Sequence, residues 1–599
     1  MNNERVLLLE AAWEVCNQVG GIYQVLRSKV GFMTSQWNER YVLVGPYVPS
    51  KAATDFESCE PPALFREVME SLAREGIEAH FGHWLVSGRP QVILLNYVTS
   101  RDKLNVLKHD LWQCFGVESP EQHELLDNAI GFGRVVARAA SVVCRAAEQQ
   151  GLRTLLHCHE WQGGVAIPLL RKEGAPCSLV FTTHATMLGR YIASSNDDLY
   201  QTLSQIDVLA QAQHYDIKSQ HLLEQCCANQ AHTFTTVSPL TGEECQYLLG
   251  KTPDVITPNG IDTKRYDVGH DFQTLHAQHK EYIRRFVMGH FFPSYSFDLD
   301  KTLFFFTSGR YEPHNKGFDL CLQAIARLNE ELKAQKVDVT VVFFIVTNRP
   351  TQSLNPHALR DRGVLEELRS VSEKIGSALS ERLFMSGASG EDAALDSLAD
   401  DYWMVRFRRT RYALRSDRLP FTTTHILADE SQDEVLSQIR ELKLTNAEED
   451  PVKVVYHPQF INSVNPLWRM EYEQFVRGCH MGIFPSSYEP WGYTPLECVC
   501  MGVPAITSDL SGFGRYLSDL HPDHDRHGVL VLGRRMQDFR SSAQELANRL
   551  LAFCRLNRRQ RIALRNLVET HSHSFDWNKL GASYQDAHEL ALRRESAQR

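Results

Sequence analysis

The chain has 599 residues, 43% hydrophobic and 23% charged, with 63 Lys+Arg against 73 Asp+Glu and a formal net charge of -10. At roughly 100–200 residues per domain this length implies two to four folding units, and the balance excludes wholesale disorder and a fibrous repeat. A duplex-binding protein is excluded for want of a basic excess, so no nucleic-acid partner is expected.

The 14 cysteines are scattered, without CxxC pairs at zinc-ribbon spacing, which fits neither a metal ribbon nor a disulfide scaffold and points to a reducing, cytoplasmic compartment. The start, Met1-Asn2-Asn3-Glu4, has no basic region followed by an apolar core, so no signal peptide is expected. The longest apolar run, residues 339–346, is less than half of what spans a bilayer and predicts a buried strand instead.

In chain order, residues 5–10 predict a strand, followed by a Gly-bearing turn and a helix over 22–37. Residues 155–157 predict a strand that leads through Glu160-Trp161-Gln162-Gly163-Gly164 into an apolar helix over 165–170, and residues 179–184 predict a further strand with a polar end. A second series starts near 302: strand 303–307, polar loop 309–316, helix 318–332, strand 339–346, then strands at 481–485 and 504–507. Apolar strands alternating with helices predict parallel sheets covered on both faces. The expected fold is α/β, two doubly wound Rossmann-like domains facing a cleft, with ligands at the carboxyl ends of the strands. Between about 350 and 450 the pattern changes to an amphipathic helix over 365–383 and a basic, aromatic stretch through Trp403, Arg406, Arg408, Arg409 and Arg411. This predicts an inserted helical subdomain, for which a packed decoration and an oligomerisation role are equally good accounts.

Three loops carry chemistry. Gly20-Gly21 between strand and helix lets the backbone approach a phosphate at a helix N-terminus, although any tight turn could use such a pair. Arg310 and Lys316 stand six residues apart on one strand-exit loop, where a guanidinium fork and an ammonium suit a diphosphate; a solvated basic loop is the plainer account. In the segment 484–497, Gly492, Tyr493 and Thr494 would offer amides at a helix start, with Glu489 and Glu497 eight residues apart. The two carboxylates could also form a glycosidase pair, but such pairs more often come from different strands. His157-Cys158-His159 places two rings on one strand face, yet no Asp, Glu or Cys partner is evident, and no metal is expected.

Read in order, the blocks Trp13-Glu14-Val15, Val19-Gly20-Gly21-Ile22-Tyr23, His159-Glu160-Trp161, Phe181 to Tyr191, Thr257-Pro258-Asn259-Gly260, Gly309-Arg310-Tyr311-Glu312 and Tyr488 to Pro495 resemble the glycogen synthases of animals and fungi, over residues 5–590. These are retaining GT-B glycosyltransferases that use UDP-glucose. The resemblance implies an N-terminal domain over 1–265 completed by a C-terminal helix over 576–599, and a nucleotide-sugar domain over 266–575. It implies that Arg310 and Lys316 hold the donor diphosphate, with Arg190 reaching it from the opposite domain. Glu489 would bind sugar hydroxyls and stabilise positive charge at the anomeric carbon, with the His184 carbonyl near that carbon and Glu160 behind it. Tyr472 would stack on uracil, Gly20, Gly21, Gly492, Tyr493 and Thr494 would meet the phosphates, and Glu497 would complete the donor site. His184, Glu160 and Tyr472 taken singly would more often be structural.

One departure is Gln18, where the family has Lys or Arg. It leaves open a donor such as ADP-glucose, while a catalytically weak glucan-binding scaffold is the alternative from another class. A glucan phosphorylase shares the fold but is much longer and carries a pyridoxal phosphate.

The resemblance further implies activation by glucose 6-phosphate through Gln273, His276, Lys280, His480, Arg561 and Arg565, although a basic helix face is usually just solvated. Two later arginines of the family are replaced by Leu567 and Thr570. No Ser/Pro-rich tail follows, so phosphorylation control is not expected. A homotetramer built on the 350–450 insertion, a glycogen or maltooligosaccharide acceptor and no cofactor complete the expectations.

Overall fold

The computed structural model describes residues 5–120, 122–195, 199–390 and 400–598, the side chain of His270 excepted. The first sheet holds β1 (Val6–Ala12), β2 (Tyr41–Pro46), β3 (Phe56–Ser58), β4 (Ala79–Trp84), β5 (Gln91–Leu95), β6 (Arg153–His159), β7 (Cys177–Thr183), β8 (Thr233–Thr236) and β9 (Val255–Ile256), in the order β3-β4-β5-β2-β1-β6-β7-β8-β9. Its pairs are parallel apart from β3–β4 and β4–β5. The second sheet holds β10 (Thr302–Ser308), β11 (Thr340–Val346), β14 (Val452–His457), β15 (Met481–Ile483), β16 (Ala505–Ser508) and β17 (Val529–Leu532), all parallel, in the order β14-β11-β10-β15-β16-β17. Between them in sequence, β12 (Thr351–Leu354) and β13 (His425–Leu427) make a separate antiparallel pair.

The central strands are apolar on both faces because helices cover both faces. Every residue of β1 and β10 is buried, and separate hydrophobic cores fill the two sides of each sheet. In the first sheet the chain reverses direction across β1 and β6, and in the second across β10 and β15. A doubly wound sheet opens its crevice at such a switch point, so the loops after β1, β6, β10 and β15 are where a ligand is expected.

The chain crosses between the sheets twice, side by side. The Ile261 amide donates to the Phe575 carbonyl (3.0 Å), and the Thr263 hydroxyl donates to Asp576 (2.6 Å). Beyond this crossing the helix Ala582–Gln598 returns to the first sheet, burying Ala591 and Leu592 in its core and pairing Arg594 with Asp254 at 2.9 Å.

The stretch 350–450 divides in two. The helices Pro356–Ser389 and Asp401–Leu414 form a hairpin that buries only Ala358, Asp361, Val371 and Thr410 among its described residues and leaves Phe384, Met385, Tyr402 and Tyr412 exposed. The helix Glu434–Glu441 instead buries Val435, Leu436 and Ile439 in the second sheet's core. The insertion is therefore narrower than the sequence pattern implied, and its base carries the β12–β13 pair. No helix of the described residues is long and apolar enough to cross a membrane.

Candidate active site

Beyond β1 the chain turns back through a loop closed by Glu14. Its Oε2 accepts the amides of Gly20 (2.7 Å) and Tyr23 (3.0 Å), so a side chain of the protein takes two of the amides at the start of the helix Gly21–Trp37, where the Gly pair was expected to let the backbone approach a phosphate. A Cβ on Gly20 would stand 3.0 Å from that carboxylate, whereas Gly21 faces open space.

At the end of β6, Glu160 adopts φ 58°, a left-handed conformation that costs a non-glycine residue on the order of 1–2 kcal/mol. The turn places its carboxylate under the next strand's exit, where Oε1 accepts the His184 amide at 2.9 Å and lies 3.8 Å from Nη2 of Arg190. Burial pushes the Glu160 carboxyl up, against the pull of Arg190. Thr186 caps the following helix, Met187–Ser194, by accepting the Gly189 amide (3.0 Å), and Arg190 projects from that helix, 47% exposed.

Two further carboxylates lie beneath this helix. Glu224 accepts the Thr183 hydroxyl (2.7 Å) and the Met187 amide (2.9 Å). Glu244 accepts hydroxyls of Thr186 (2.9 Å), Tyr200 (2.5 Å) and, across the cleft, Tyr488 (3.2 Å). Burial pushes Glu244 up to about 7 and Glu224 up to about 8. A carboxyl with a raised pKa keeps, in the folded chain, a proton that the unfolded chain has released. Its stabilising contribution is full below the ordinary carboxyl range and is lost as pH rises through the folded pKa. Glu224→Gln is isosteric and stays neutral. Between about pH 5 and 8 the wild-type apparent Tm is expected to fall more steeply than that of E224Q, by differential scanning fluorimetry. Parallel curves would contradict the assignment.

The second domain supplies the other wall. Gly317 has φ 71°, and a Cβ there would stand 2.3 Å from the Pro485 carbonyl. Only glycine lets the β10 and β15 loops approach this closely. The approach brings the ammonium of Lys316 onto Oε2 of Glu489. Arg310 is 73% exposed and pairs at 3.1 Å with Glu312 of its own loop. Gly492, at φ 115°, opens the helix Tyr493–Cys500, and the Tyr493 hydroxyl reaches back to the Gly260 carbonyl (3.2 Å).

A cavity of about 490 Å³ lies between the domains, lined by Gly20, Gly21, His184, Arg190, Arg310, Lys316, Glu489, Gly492, Tyr493 and Thr494. Glu160 stands behind His184, outside this lining. Tyr472 also lies outside it, with its hydroxyl 2.6 Å from Ser308 at the end of β10. Glu497 is one turn along its helix, and burial pushes its carboxyl up to about 7 against the pull of Arg265. Gln18 is exposed and does not line the cavity.

Glu10, Lys29, Tyr41 and His159 form a buried group directly behind His184 that sequence reasoning missed, and it corrects one reading. Glu10 pairs in register with His157 of β6, so a carboxylate partner for the two histidines exists. Its oxygens, however, already hold the Lys29 ammonium, the Tyr41 hydroxyl (2.5 Å) and His159 Nε2 (2.5 Å). His157 is engaged by His588 (3.0 Å) and Thr182 (2.6 Å). The cation of this cluster is the lysine, and the donor set is spent.

The six residues of the expected effector site also come together. The helix Phe272–Phe291 carries Gln273, His276 and Lys280, and the helix Arg558–Ser572 carries Arg561 and Arg565. Gln273 bridges to Asn566 at 2.8 Å, and the His276 and His480 rings stand 5.3 Å apart. Phe304's amide donates to His480 Nδ1 (2.9 Å), leaving Nε2–H as a donor. Arg565 is 4% exposed, and none of its three guanidinium nitrogens has a hydrogen-bond partner among the described residues. Burial, with Arg477 nearby, pulls its pKa down to about 9.

Two Rossmann-like domains that meet strand-end to strand-end over a cavity with cations on both walls define a glycosyltransferase of the GT-B fold. The catalytic domain of starch synthase IV from Arabidopsis thaliana, solved with ADP and acarbose, superimposes with a TM-score of 0.52 over 99% of both chains at 14% identity. The sequence profile of the glycogen synthase family matches residues 10–599, and the chain belongs to that family. It is 39% identical to human liver glycogen [starch] synthase over 592 residues, 99% of this chain and 84% of the relative. Identity to the enzyme of Neurospora crassa is 39% over 98% of this chain and 84% of the relative, and to that of Caenorhabditis elegans 40% over 98% and 88%.

Proposed function

We propose that the chain transfers glucose from UDP-glucose, with retention, to the non-reducing 4-hydroxyl end of an α-1,4-glucan. The observation that carries this reading is the convergence of Lys316, Glu489 and Arg310 from one domain with Arg190 and His184 from the other on a single cavity. Arg310 and Lys316 take the donor diphosphate, and Lys316 exchanges its Glu489 partner for phosphate oxygens. Arg190 completes the charge as the domains close. The C1–O bond to the diphosphate breaks, the departing phosphate oxygen takes the proton of the acceptor 4-hydroxyl, and C1–O4 forms on the same face. Glu489 and the His184 carbonyl stabilise the positive charge that develops at C1, so no enzyme nucleophile is required. Tyr472 and Glu497 belong to the nucleotide end of the site, and Gly20, Gly21, Gly492, Tyr493 and Thr494 to its phosphate end. Arg and Lys supply the positive charge, and the mechanism calls for no metal.

The reading extends to regulation and assembly. An unpartnered buried guanidinium at Arg565, facing Gln273, His276, Lys280, His480 and Arg561, suits the phosphate of glucose 6-phosphate. The exposed apolar residues of the 356–414 hairpin suit a homotetramer. Residues 1–265 with 576–599, and 266–575, act as the two moving bodies.

Radiolabelled transfer to glycogen from UDP-, ADP- and GDP-glucose, each with and without glucose 6-phosphate, tests it. The fastest rate is expected from UDP-glucose, increased by the effector. Faster transfer from ADP-glucose overturns the donor assignment, and equal rates with and without effector overturn the regulatory one.

A further inference from the structure

Behind His184 runs a buried file of polar side chains that the cavity does not touch. Glu10 and Lys29 are fully buried, His159 is 1% exposed and His184 5%. His159 Nε2 stands 2.5 Å from Glu10 Oε1, and His159 Nδ1 stands 3.0 Å from His184 Nε2. Burial works against a charged Glu10, but the Lys29 ammonium and the His159 hydrogen bond outweigh it and hold the carboxyl well below its usual range. Both imidazoles are held neutral, chiefly by burial.

These contacts leave one arrangement of protons. A carboxylate only accepts, so His159 carries its proton on Nε2 and has a lone pair on Nδ1. The 3.0 Å contact is then His184 Nε2–H donating to that lone pair. A neutral imidazole has one N–H, so His184 Nδ1 is an acceptor. That atom is buried without a partner among the described residues, in a residue that lines the cavity. The His159 ring is fixed from its other face by His157, stacked at 4.4 Å and itself tied to His588 and Thr182.

We propose that Glu10 and His159 are positioning residues that lock His184 in the Nδ1-acceptor tautomer, so that it receives a hydroxyl of the sugar being transferred and cannot donate to a phosphate. The inference rests on the glucosyl-donor reading above and adds a specificity device to it.

The test is a cycle between protein and substrate. UDP-glucose and its 2-, 3-, 4- and 6-deoxy analogues are compared as donors for wild type, His159→Phe and His159→Gln, by kcat/KM. In wild type, loss of one particular hydroxyl is expected to cost roughly 10- to 100-fold, as when a site's acceptor is left unpaired. In H159F the same deletion is expected to cost less than about threefold, with partial recovery in H159Q, whose amide can accept. A role confined to structure would lower all donors by one factor and leave the ratios unchanged, which would overturn the proposal. Should H159F not fold, or should wild type not use UDP-glucose, ¹⁵N-histidine spectra of wild type decide, with His184 assigned by difference from His184→Asn. A protonated Nδ1 overturns the proposal. Failure of the donor reading shows separately, as absent wild-type transfer.

Discussion

Glu489→Gln is expected to lower kcat by about two to three orders of magnitude, with KM for the donor changed only a few-fold. The amide keeps the size of the carboxylate and its capacity to meet sugar hydroxyls, and it removes only the negative charge. The loop that carries it does not depend on that charge. It is held by the Ser487 amide on the Asn315 carbonyl (3.0 Å), by Ser508 on the Ser486 carbonyl (2.5 Å) and by the close approach at Gly317. Before donor binding, Glu489 neutralises Lys316, whose side chain is 15% exposed. In the variant Lys316 is left free, which favours the diphosphate and keeps KM low. The loss therefore falls on the step in which charge develops at C1, where an anion in a water-poor site counts most. Saturation kinetics with radiolabelled donor would separate the two constants. An unchanged kcat would remove Glu489 from the mechanism, and a fall confined to kcat/KM through KM would make it a binding group only.

The parts of the fold that were legible in the sequence are those where one local pattern decides. β1, β10 and β11 read as strands because nearly every position is apolar, as burial on both faces demands. β14 escaped because Lys453 and His457 interrupt it. Both are buried, the lysine ammonium donating to the Ala447 carbonyl and His457 bonded to Thr424 (2.8 Å). The helix Glu434–Glu441 was assigned to the insertion because a short amphipathic helix does not reveal which body it packs on.

The site divides in the same way. Gly492 and the Arg310–Lys316 loop announce themselves at strand exits. Glu10 is the last residue of the strand predicted over 5–10, which in fact continues to Ala12. Its partners Lys29, Tyr41 and His159 come from three other elements, so no local spacing connects them. The useful signal was a lone carboxylate in an apolar strand followed by a lone lysine in the apolar stripe of the next helix, two charges that burial obliges to pair.

The second large effect is expected at Arg565. Its neighbours Arg477, His276, His480 and Lys280 are cationic or neutral, so the folded chain carries a buried positive charge with no carboxylate to answer it among the described residues. Such a charge lowers stability until an anion arrives, and the anion's binding energy then appears as stabilisation. Arg565→Met keeps most of the aliphatic volume and deletes the charge. Without effector the variant is expected to melt at or above the wild-type temperature, since replacing an unanswered buried charge by an apolar chain is commonly neutral or stabilising by roughly 1–4 kcal/mol. With glucose 6-phosphate the wild-type apparent Tm is expected to rise by a few degrees while the variant's stays fixed, and activation of transfer disappears with it. Arg561 is a useful contrast, because its guanidinium already donates to the Leu556 carbonyl. Arg561→Met then weakens the effector without raising the unliganded melting temperature. A ligand-induced shift of equal size in R565M and wild type would show that the phosphate binds elsewhere. A marked drop in the unliganded Tm of R565M would show that the guanidinium is stabilised in the folded chain after all.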